Sequence, residues 1–465
     1  MNREGGIHRK GGILGIDLGT SSVKMLLKSR SGGTVKVKET YREPAPSGWW
    51  NAVKKALSRL DLRKLAAIGL SSQVGTYLVN GEVVIPWSGR EGAEELSEIR
   101  ETFGRELFFR EIDMPHPNII SYPVPRLLYI KRHYPQVESV CQPKDFLCEM
   151  LTGRRLTDPY SWRGLAKLSE GRYSQALLDR IGFPVQKLPG MIPVTGRAGE
   201  TQEISLEGNL LPAGVPVFIG MNDFYASLLG MGVYGIGDFF DITGTSEHLG
   251  VVESDPDPDT ELVSSPYFCG NVHYGVTASA GASLNYGMRL FGFGDMEPME
   301  SLSRKPPVFL PYLNGERAPV WDADARGMFF GIDGACEKRD MAYAVMEGVV
   351  FSLYHIYECM GRPRGTVMRV SGGAAANRVL CEMKAELFGV PVIVPEETDT
   401  SALGAYMTAA VGAGRYADFE EAIEHNCRSR ECIRPGGLYQ ERLKQRFSIY
   451  KELYPAIKHI RRDSL

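Results

Sequence analysis

The sequence lacks the features that mark membrane proteins, secreted proteins and nucleic-acid-binding proteins. Its 53 basic and 56 acidic residues leave a net charge of −3, so no basic excess attracts nucleic acid or an anionic membrane. Residues 1–15 contain no apolar signal-peptide core. The most apolar helical stretch, 341–357, carries Glu347 and His355 and is short for a bilayer span. We therefore expect a cytoplasmic protein that binds neither nucleic acid nor membrane.

Motifs for metal binding and for several kinds of catalysis are also missing. The eight cysteines are scattered without C-x-x-C spacing, which favours reduced, buried thiols and argues against a zinc site. No serine-nucleophile elbow or metalloprotease helix occurs. No Gly-Lys dipeptide occurs either, which excludes a Walker-type phosphate loop. If ATP binds, turns of another kind must hold its phosphates.

What the chain does contain indicates an α/β protein with two related halves. At 465 residues it is too long for one hydrophobic core, and its 52 glycines suggest many tight turns and close backbone approaches. Residues 12–42 predict an antiparallel meander with a Gly-Thr-Ser turn at 19–21. A second strand–turn–strand unit repeats Gly-Thr-Ser at 244–246, which predicts two domains, 1–236 and 237–465.

Other segments give local predictions. Asn80-Gly81 lies between two short strand patterns and predicts a two-residue hairpin turn. Residues 91–212 read as mostly helical, and 340–360 reads as a buried core helix. The tail, 439–460, predicts an amphipathic helix on the surface.

Two turns are candidates for binding phosphate. The Gly19-Thr20-Ser21 turn offers backbone N–H groups and hydroxyls to phosphate oxygens, and Asp17, just before it, can hold Mg²⁺ through water. Gly244-Thr245-Ser246 is a second turn of this kind by analogy. A plain hairpin turn would have the same pattern in both places.

Two further patterns are candidates for catalysis and for adenine binding. Asp223 follows a buried strand at the start of a helix, whose N-terminus would favour the charged form and suit a general base. An N-cap aspartate is the alternative explanation. Small residues at 371–376 and 400–405 would let the backbone approach a flat ring such as adenine, although close packing of helix on sheet needs them equally.

In this order, the segments resemble those of the FGGY carbohydrate kinases, and of their xylulokinase-like members in particular. That family belongs to the actin, hexokinase and heat-shock-70 superfamily. The resemblance covers nearly the whole chain, in the segments GIDLGTSSVK at 15–24, SSQVG at 71–75, PWSGR at 86–90, PKDFLCEMLTG at 143–153, GMNDFYASLLGMG at 220–232, DITGTSE at 241–247, NGERAPVWDADARGMFFG at 314–331, SGGAAANRVLCEMKAELFGVPV at 371–392 and ALGAY at 402–406.

The resemblance implies an α/β fold of two RNase H-like, actin-like lobes, with mixed sheets flanked by helices and a cleft that takes ATP, Mg²⁺ and a sugar. It makes Asp223 the base that accepts the proton of the attacking hydroxyl, and it places Asp17 and Asp223 at the metal. The implied contacts are Gly19, Thr20, Ser21, Gly244, Thr245 and Ser246 with phosphate, Gly372, Gly373, Ala374 and Asn377 with adenosine, and Gln73, Val74, Gly75, Arg90 and Asp223 with the sugar.

The chain departs from the family pattern at the sugar end. The family often has Trp-x-Asp-x-Arg after the hairpin, where this chain has the shorter Trp87-Ser88-Gly89-Arg90. After Gln73, glycerol kinases usually place Arg-Glu and xylulokinases Met-His, where this chain has Val74 and Gly75. These positions offer no polar side chains to glycerol, and the room left by glycine favours a longer acceptor.

The expected activity is ATP-dependent phosphorylation of a small sugar, with a ketopentose such as xylulose or ribulose as the acceptor. A hexulose, heptulose, sugar acid or polyol is an alternative acceptor, and a non-kinase ATPase or a sugar sensor is an alternative function. The sequence leaves the oligomeric state open, a homodimer included.

Overall fold

A computed structural model describes residues 11–244, 246–258, 260–292, 306–363, 365–437 and 439–460. The chain forms two compact units, Met1–Gly232 with Asp399–Cys427, and Val233–Thr398 with Arg428–Leu465. The first boundary lies close to the expected one at residue 236. The expected second domain was continuous, however, whereas the structure returns Asp399–Cys427 to the first unit.

The strands up to residue 222 are β1 (Gly12–Leu18), β2 (Ser22–Lys28), β3 (Thr34–Thr40), β4 (Leu65–Ser72), β5 (Tyr77–Val79), β6 (Val83–Ile85), β7 (Val140–Cys141), β8 (Leu156–Thr157), β9 (Ala166–Lys167), β10 (Arg172–Tyr173), β11 (Gly190–Met191), β12 (Arg197–Glu200), β13 (Ile204–Leu206), β14 (Asn209–Leu211) and β15 (Pro216–Asn222). The later strands are β16 (Asp238–Thr243), β17 (Glu247–Glu253), β18 (Val263–Tyr267), β19 (Gly270–Val276), β20 (Val308–Leu310), β21 (Met328–Phe330), β22 (Val367–Gly372), β23 (Val392–Pro395) and β24 (Ser429–Ile433). The helices are α1 (Pro46–Leu57), α2 (Ala93–Thr102), α3 (Arg105–Ile112), α4 (Pro123–His133), α5 (Pro143–Thr152), α6 (Gln175–Ile181), α7 (Asp223–Met231), α8 (Ala280–Phe291), α9 (Lys338–Cys359), α10 (Arg378–Phe388), α11 (Thr400–Gly412), α12 (Phe419–Asn426) and α13 (Gln440–Ile457).

The main sheets of the two units share one plan. The first has the order β12-β15-β4-β1-β2-β3, with β1, β2 and β3 forming an antiparallel meander and β4 and β15 added in parallel. The second has the order β18-β19-β17-β16-β22-β23-β24, with β16, β17 and β19 as antiparallel neighbours and β22 and β23 added in parallel. Gly19-Thr20-Ser21 connects β1 with β2, and Gly244 and Ser246 lie at the corresponding place between β16 and β17. The predicted mixed α/β fold with two related halves is confirmed.

The two faces of β1 have different partners. Leu14 and Ile16 belong to the core that includes Trp49 of α1 and Leu147 of α5. Because side chains alternate along a strand, Gly15 and Asp17 point to the opposite face. That face is covered by α11, since a Cβ added to Gly15 would lie 2.1 Å from the Ala402 carbonyl oxygen.

Helix α11 approaches its neighbours so closely that only glycine fits at several contacts. A Cβ on Gly69 of β4 would lie 1.9 Å from the Ala405 carbonyl oxygen. A Cβ on Gly404 would lie 1.9 Å from the carbonyl oxygen of Ala226 in α7. This packing explains why residues 399–427 join the first unit. The small residues of this segment therefore serve close packing, the alternative given above for 400–405.

The remaining local predictions have mixed outcomes. Asn80 and Gly81 have φ values of 53° and 76° between β5 and β6, so the predicted hairpin turn is confirmed. Residues 91–212 hold α2 to α6, but also short strand pairs such as β8 with β11 and β13 with β14. The buried core helix is α9, whose interior residues are mostly buried.

The tail helix is the amphipathic surface helix that the sequence predicts, with Glu441, Gln445 and Ile449 of α13 exposed. Leu443, Phe447 and Tyr450 of α13 are buried in the core of the second unit. The buried Arg446 guanidinium donates a 2.8 Å hydrogen bond to Glu347 of α9. An ion pair with a distant helix cannot be seen in the local amphipathic pattern. In the described part of the chain, none of the helices combines the length and apolar character that a bilayer crossing requires.

We predict that Gly69→Ala lowers the free energy of unfolding by about 1–3 kcal/mol, because its methyl group would collide with the α11 backbone. Gly334→Ala is the matched control, since no atom lies within 4 Å of a Cβ added there, and it should stay within about 0.5 kcal/mol of the parent. Urea unfolding curves measure both variants. Equal stability of the two would contradict the packing described for α11.

Candidate active site

Three candidate segments leave the first sheet at one edge. Strands β1, β4 and β15 are parallel neighbours, and Ser72 pairs with both Leu18 and Asn222 at their ends. The chain therefore leaves these strands side by side, into Gly19, Gln73 and Asp223 respectively. The crevice outside the carboxyl ends of parallel strands is where ligands bind in open α/β sheets.

Asp17 is a buried carboxylate held by two serines. It accepts hydrogen bonds from Ser71 Oγ at 2.9 Å and from Ser401 Oγ at 2.6 Å. Burial raises the pKa of Asp17, while these hydrogen bonds and the charge of Lys24 lower it. Ser71 lies within the SSQVG segment and was within reach of sequence reasoning. Ser401 lies 384 residues away on α11, and no local pattern connects it with Asp17.

Asp223 begins α7 but does not cap it. The N-cap is Asn222, whose side chain accepts a hydrogen bond from the Tyr225 N–H at 3.2 Å. Asp223 Oδ1 accepts the Phe224 N–H at 2.8 Å. The alternative explanation of Asp223 as an N-cap residue therefore does not hold.

The protonation of Asp223 differs from the sequence-based expectation. Burial raises its pKa to about 7, with a further contribution from the charge of Asp17. The Phe224 N–H and the charges of Arg163 and Lys24 act in the opposite direction. The helix N-terminus was expected to favour the charged form, but desolvation outweighs it. A carboxyl group that titrates near neutral pH can accept a proton and still be ionised in much of the population.

Sequence reasoning also missed Arg163. It is buried, and its guanidinium carbon lies 5.7, 5.3 and 5.4 Å from the ring centroids of Tyr122, Phe224 and Tyr225. Two of these rings follow Asp223 directly, which brings a positive charge close to that carboxyl group. Cation–π contacts with three rings help to hold this charge in a mostly apolar setting.

The first Gly-Thr-Ser turn is a tight hairpin turn with exposed hydroxyl-bearing residues. Gly19 N–H donates to the Ser22 carbonyl at 3.0 Å, and Tyr41 N–H donates to the Ser21 carbonyl at 3.1 Å. Thr20 and Ser21 are both exposed. The Trp87 indole N–H donates to Thr20 Oγ1 at 3.4 Å, which places the Trp87–Arg90 loop beside this turn.

The sugar-side segment is fixed by buried polar contacts. Gln73 is buried, and its Oε1 accepts a hydrogen bond from Thr76 Oγ1 at 3.2 Å. Gly75 has a φ of 81°, and its N–H donates to Gln142 Oε1 at 2.9 Å. A Cβ on Gly75 would lie 2.9 Å from the Cβ of Ser121. The room that glycine was expected to leave is therefore filled by Ser121, and Val74 is half-buried.

A buried arginine holds the shortened loop after the hairpin. Arg126 of α4 is fully buried and donates to the carbonyl oxygens of Pro86 at 2.9 Å and Gly89 at 3.1 Å. It also donates to Glu91 at 3.1 Å. Arg90 itself is exposed. Sequence reasoning missed Arg126, because an arginine in a helical segment ordinarily points to solvent.

In the second unit, the two segments assigned to the nucleotide also share one edge. Thr243 at the end of β16 pairs with Gly372 at the end of the parallel strand β22. Gly372 has a φ of 89°, and a Cβ there would lie 1.9 Å from the Thr243 carbonyl oxygen, so only glycine fits. The turn at 244–246 and the segment at 372–377 therefore begin side by side.

The individual positions at this edge differ in what they can offer. Gly373 is exposed with no atom within 4 Å of an added Cβ, whereas Ala374 is buried. Asn377 Oδ1 accepts the Leu380 N–H at 3.0 Å and so caps α10. Gly244 is exposed and Ser246 half-buried, while Thr245 lies outside the described residues. The exposed backbone at 372–373 is the part open to a flat ring.

The two carboxyl groups near the carboxyl ends of β1, β4 and β15 fit a magnesium ion. Asp17 and Asp223 are oxygen donors, and the negative charge of Asp17 raises the pKa of Asp223, a repulsion that a cation would relieve. Among the described residues, no group of three or more His, Cys, Asp or Glu side chains could hold a metal ion. Mg²⁺ is usually held by one or two carboxylates, with water and substrate phosphates as its other ligands.

Comparison with known proteins finds the same family in both halves of the chain. Residues 12–230 match the N-terminal domain, and 242–413 the C-terminal domain, of the FGGY family of carbohydrate kinases. A xylulose kinase of Bacillus subtilis is 26% identical, covering 96% of this chain and 97% of that protein. A glycerol kinase of Thermus brockianus is 29% identical over 86% of this chain and 90% of that protein. The crystal structure of a gluconate kinase from Lactobacillus acidophilus superposes with a TM-score of 0.82 at 23% identity, covering 96% of this chain and 98% of that one. The chain therefore belongs to the FGGY family of carbohydrate kinases and phosphorylates a sugar with ATP.

Proposed function

We propose that this kinase phosphorylates a ketopentose of the xylulose or ribulose type, with Asp223 as the general base and Mg²⁺ as the metal. The observation that carries the proposal is the common edge of β1, β4 and β15. There a carboxyl group with a pKa of about 7 stands beside the Gly19–Ser21 turn and the Gln73–Gly75 segment. A cytoplasmic location follows from the need for ATP.

The reaction needs a base for the acceptor hydroxyl. Asp223 accepts that proton as the hydroxyl oxygen attacks the γ-phosphorus, a contribution commonly worth about 10²–10⁴-fold. The Phe224 N–H and the Asn222 cap fix the orientation of Asp223 at the helix start. The remaining catalysis of phosphoryl transfer is positioning and neutralisation of charge.

The phosphate and adenosine contacts belong to the two Gly-Thr-Ser turns and to the edge at Gly372. Thr20, Ser21, Thr245 and Ser246 give hydroxyl or backbone donors to the phosphates, as expected from the sequence. The backbone of Gly372 and Gly373 would contact the adenine ring. The Asn377 side chain contributes by capping α10.

Asp17 and Asp223 are the protein groups that hold Mg²⁺. When bound, the ion neutralises negative charge on the phosphate oxygens. Ser71 and Ser401 fix the orientation of the Asp17 carboxylate through its two oxygens. Both hydrogen bonds also favour its ionised form against burial, which a metal ligand requires.

The choice of acceptor rests on the residues after Gln73. Val74 and Gly75 carry no polar side-chain atoms, so a substrate must find its hydrogen bonds elsewhere, on Gln73 or Asp223. Ser121 fills the space beside Gly75, so the extra room once inferred there does not contribute. The Bacillus subtilis relative, a xylulose kinase, supports a ketopentose. A hexulose, a heptulose, a sugar acid or a polyol stays an alternative.

We predict that Asp223→Asn lowers kcat by at least about 10²-fold and leaves ATP affinity within a few-fold. In the wild type, kcat/KM should fall as the pH drops below about 7, because protonated Asp223 cannot accept the proton. Steady-state kinetics from pH 5.5 to about 8.5 test both points. Asp418→Asn, at the N-terminus of α12, is the matched control and should keep near-normal kcat. A near-normal kcat for Asp223→Asn would show that Asp223 is not the general base.

A second prediction concerns Asp17. Asp17→Asn should raise the Mg²⁺ concentration for half-maximal activity at least about tenfold. It should also move the acidic limb of the pH profile to lower pH, because the Asp17 charge helps to raise the pKa of Asp223. Mg²⁺ titrations and pH profiles measure the two effects, with circular dichroism to confirm the fold. An unchanged Mg²⁺ titration would show that Asp17 is not a metal anchor.

A third prediction concerns the acceptor. Because Val74 and Gly75 offer no polar side-chain atoms, glycerol should have a kcat/KM at least about 10²-fold below that of the best ketopentose. The measurement is kcat/KM for xylulose, ribulose, glycerol, gluconate and a hexulose under one set of conditions. If glycerol were the best acceptor, other residues would have to supply the polar contacts and the ketopentose proposal would be wrong.

A further inference from the structure

Three charged side chains lie buried together in the second unit. Lys384 of α10 contacts Asp241 of β16, and its Nζ lies 2.7 Å from Glu247 Oε1 at the start of β17. The side chains are 2%, 0% and 0% exposed in that order. Thr243 Oγ1 donates to the same Glu247 oxygen at 2.5 Å. We call Lys384, Asp241 and Glu247 the buried triad.

The two carboxyl groups of the triad have pKa values shifted in opposite directions. Burial and the charge of Glu247 raise the pKa of Asp241 well above its usual value. Burial acts on Glu247 in the same direction, but the charge of Lys384 outweighs it and the pKa of Glu247 is lowered. Both carboxyl groups contact the same Lys384 ammonium group, Asp241 through Oδ2 and Glu247 through Oε1.

The position of the triad links it to the nucleotide segments. Asp241 lies on the strand that enters the Gly244–Ser246 turn, and Glu247 follows the turn directly. Helix α10, which carries Lys384, begins immediately after the Gly372–Asn377 segment. The Lys384 ammonium group thus connects α10 with β16 and β17, the strands on both sides of the turn.

The fold itself does not require charge at this place. When the two Gly-Thr-Ser triplets are superimposed in sequence, Asp241 corresponds to Ile16 and Glu247 to Ser22. Ile16 is a fully buried core residue of the first unit. Buried ion pairs are a weak source of stability compared with apolar packing, because removing charges from water is costly. A carboxyl group paired with Lys384 at the position of an apolar core residue therefore calls for another role than stability.

We propose that Lys384 is a positioning residue for ATP, which sets the geometry of the Gly244–Ser246 turn by clamping Asp241 and Glu247. The inference rests on the proposed function of that turn in binding phosphate. Backbone donors give strong phosphate contacts only when they are held in one arrangement. Ion pairs that join both strands to α10 hold the turn in this way, whereas apolar contacts leave it freer to shift.

The test is Lys384→Met, which keeps the length of the side chain and removes its charge. We expect KM for ATP and the dissociation constant of a non-hydrolysable ATP analogue to rise at least about tenfold, with KM for the sugar within about twofold. Isothermal titration calorimetry gives the dissociation constant without turnover. Lys384→Arg should recover part of the affinity, because the guanidinium can pair with the same carboxylates.

A matched control separates positioning from folding. Arg446→Met breaks the other buried ion pair of this unit described above, between α13 and Glu347 of α9, which has no part in the turn. It should lower Tm as much as Lys384→Met but leave the affinity for the analogue unchanged. If Lys384→Met does not fold, Lys384→Met/Glu247→Gln removes both charges of the pair. That variant should fold and still bind the analogue weakly.

A further variant separates the positioning role of Lys384 from the proposed binding of phosphate by the Gly244–Ser246 turn. Thr245→Val removes a hydroxyl of the turn itself. If Thr245→Val weakens binding of the analogue but the Lys384 variants bind like the wild type, the positioning role of Lys384 is wrong. If both bind like the wild type, the Thr245 hydroxyl does not hold phosphate, and this assignment fails together with the positioning role of Lys384. Equal weakening by Arg446→Met would show a general effect of instability and would also overturn the positioning role.

Discussion

The backbone of α11 lies against β1, β4 and α7 with no side chains in between at its closest contacts. Gly15, Gly69 and Gly404 make this possible, because a single methyl group at any of them would meet a carbonyl oxygen at about 2 Å. A helix this close to a sheet excludes water from the facing side of the strands. The same contact draws residues 399–427 out of the second half of the chain and into the first unit.

The pKa shifts of Asp17 and Asp223 follow from this packing. Asp17 faces α11 because it alternates with Ile16 along β1, and the helix brings Ser401 to its carboxylate. Burial makes the charge of Asp17 expensive, and the two serines and Lys24 partly compensate. That charge in turn helps to raise the pKa of Asp223 to about 7. The proton affinity of Asp223 thus depends on a helix that starts nearly 180 residues later in the chain.

The two units solve the same problem of holding a turn with different side chains. Both use three antiparallel strands followed by parallel strands, and in both the turn after the first strand begins beside the carboxyl end of a parallel neighbour. Behind the first turn, Ile16 packs in an apolar core. Behind the second turn, the corresponding position carries Asp241 of the buried triad. The same arrangement of strands can therefore hold equivalent turns with either apolar or ionic contacts.

The sequence by itself determined the first meander, the turns and the order of the motifs, because these depend on residues close together in the chain. It identified Asp17, Asp223 and both Gly-Thr-Ser turns as candidates. Only the tertiary structure decided which face Asp17 meets, why Asp223 titrates near neutral pH, and that Ser121 fills the space beside Gly75. It alone showed that Lys384, Arg126 and Arg446 lie inside the protein. Burial and desolvation arise from atoms contributed by distant segments, and no local pattern of residue types contains them.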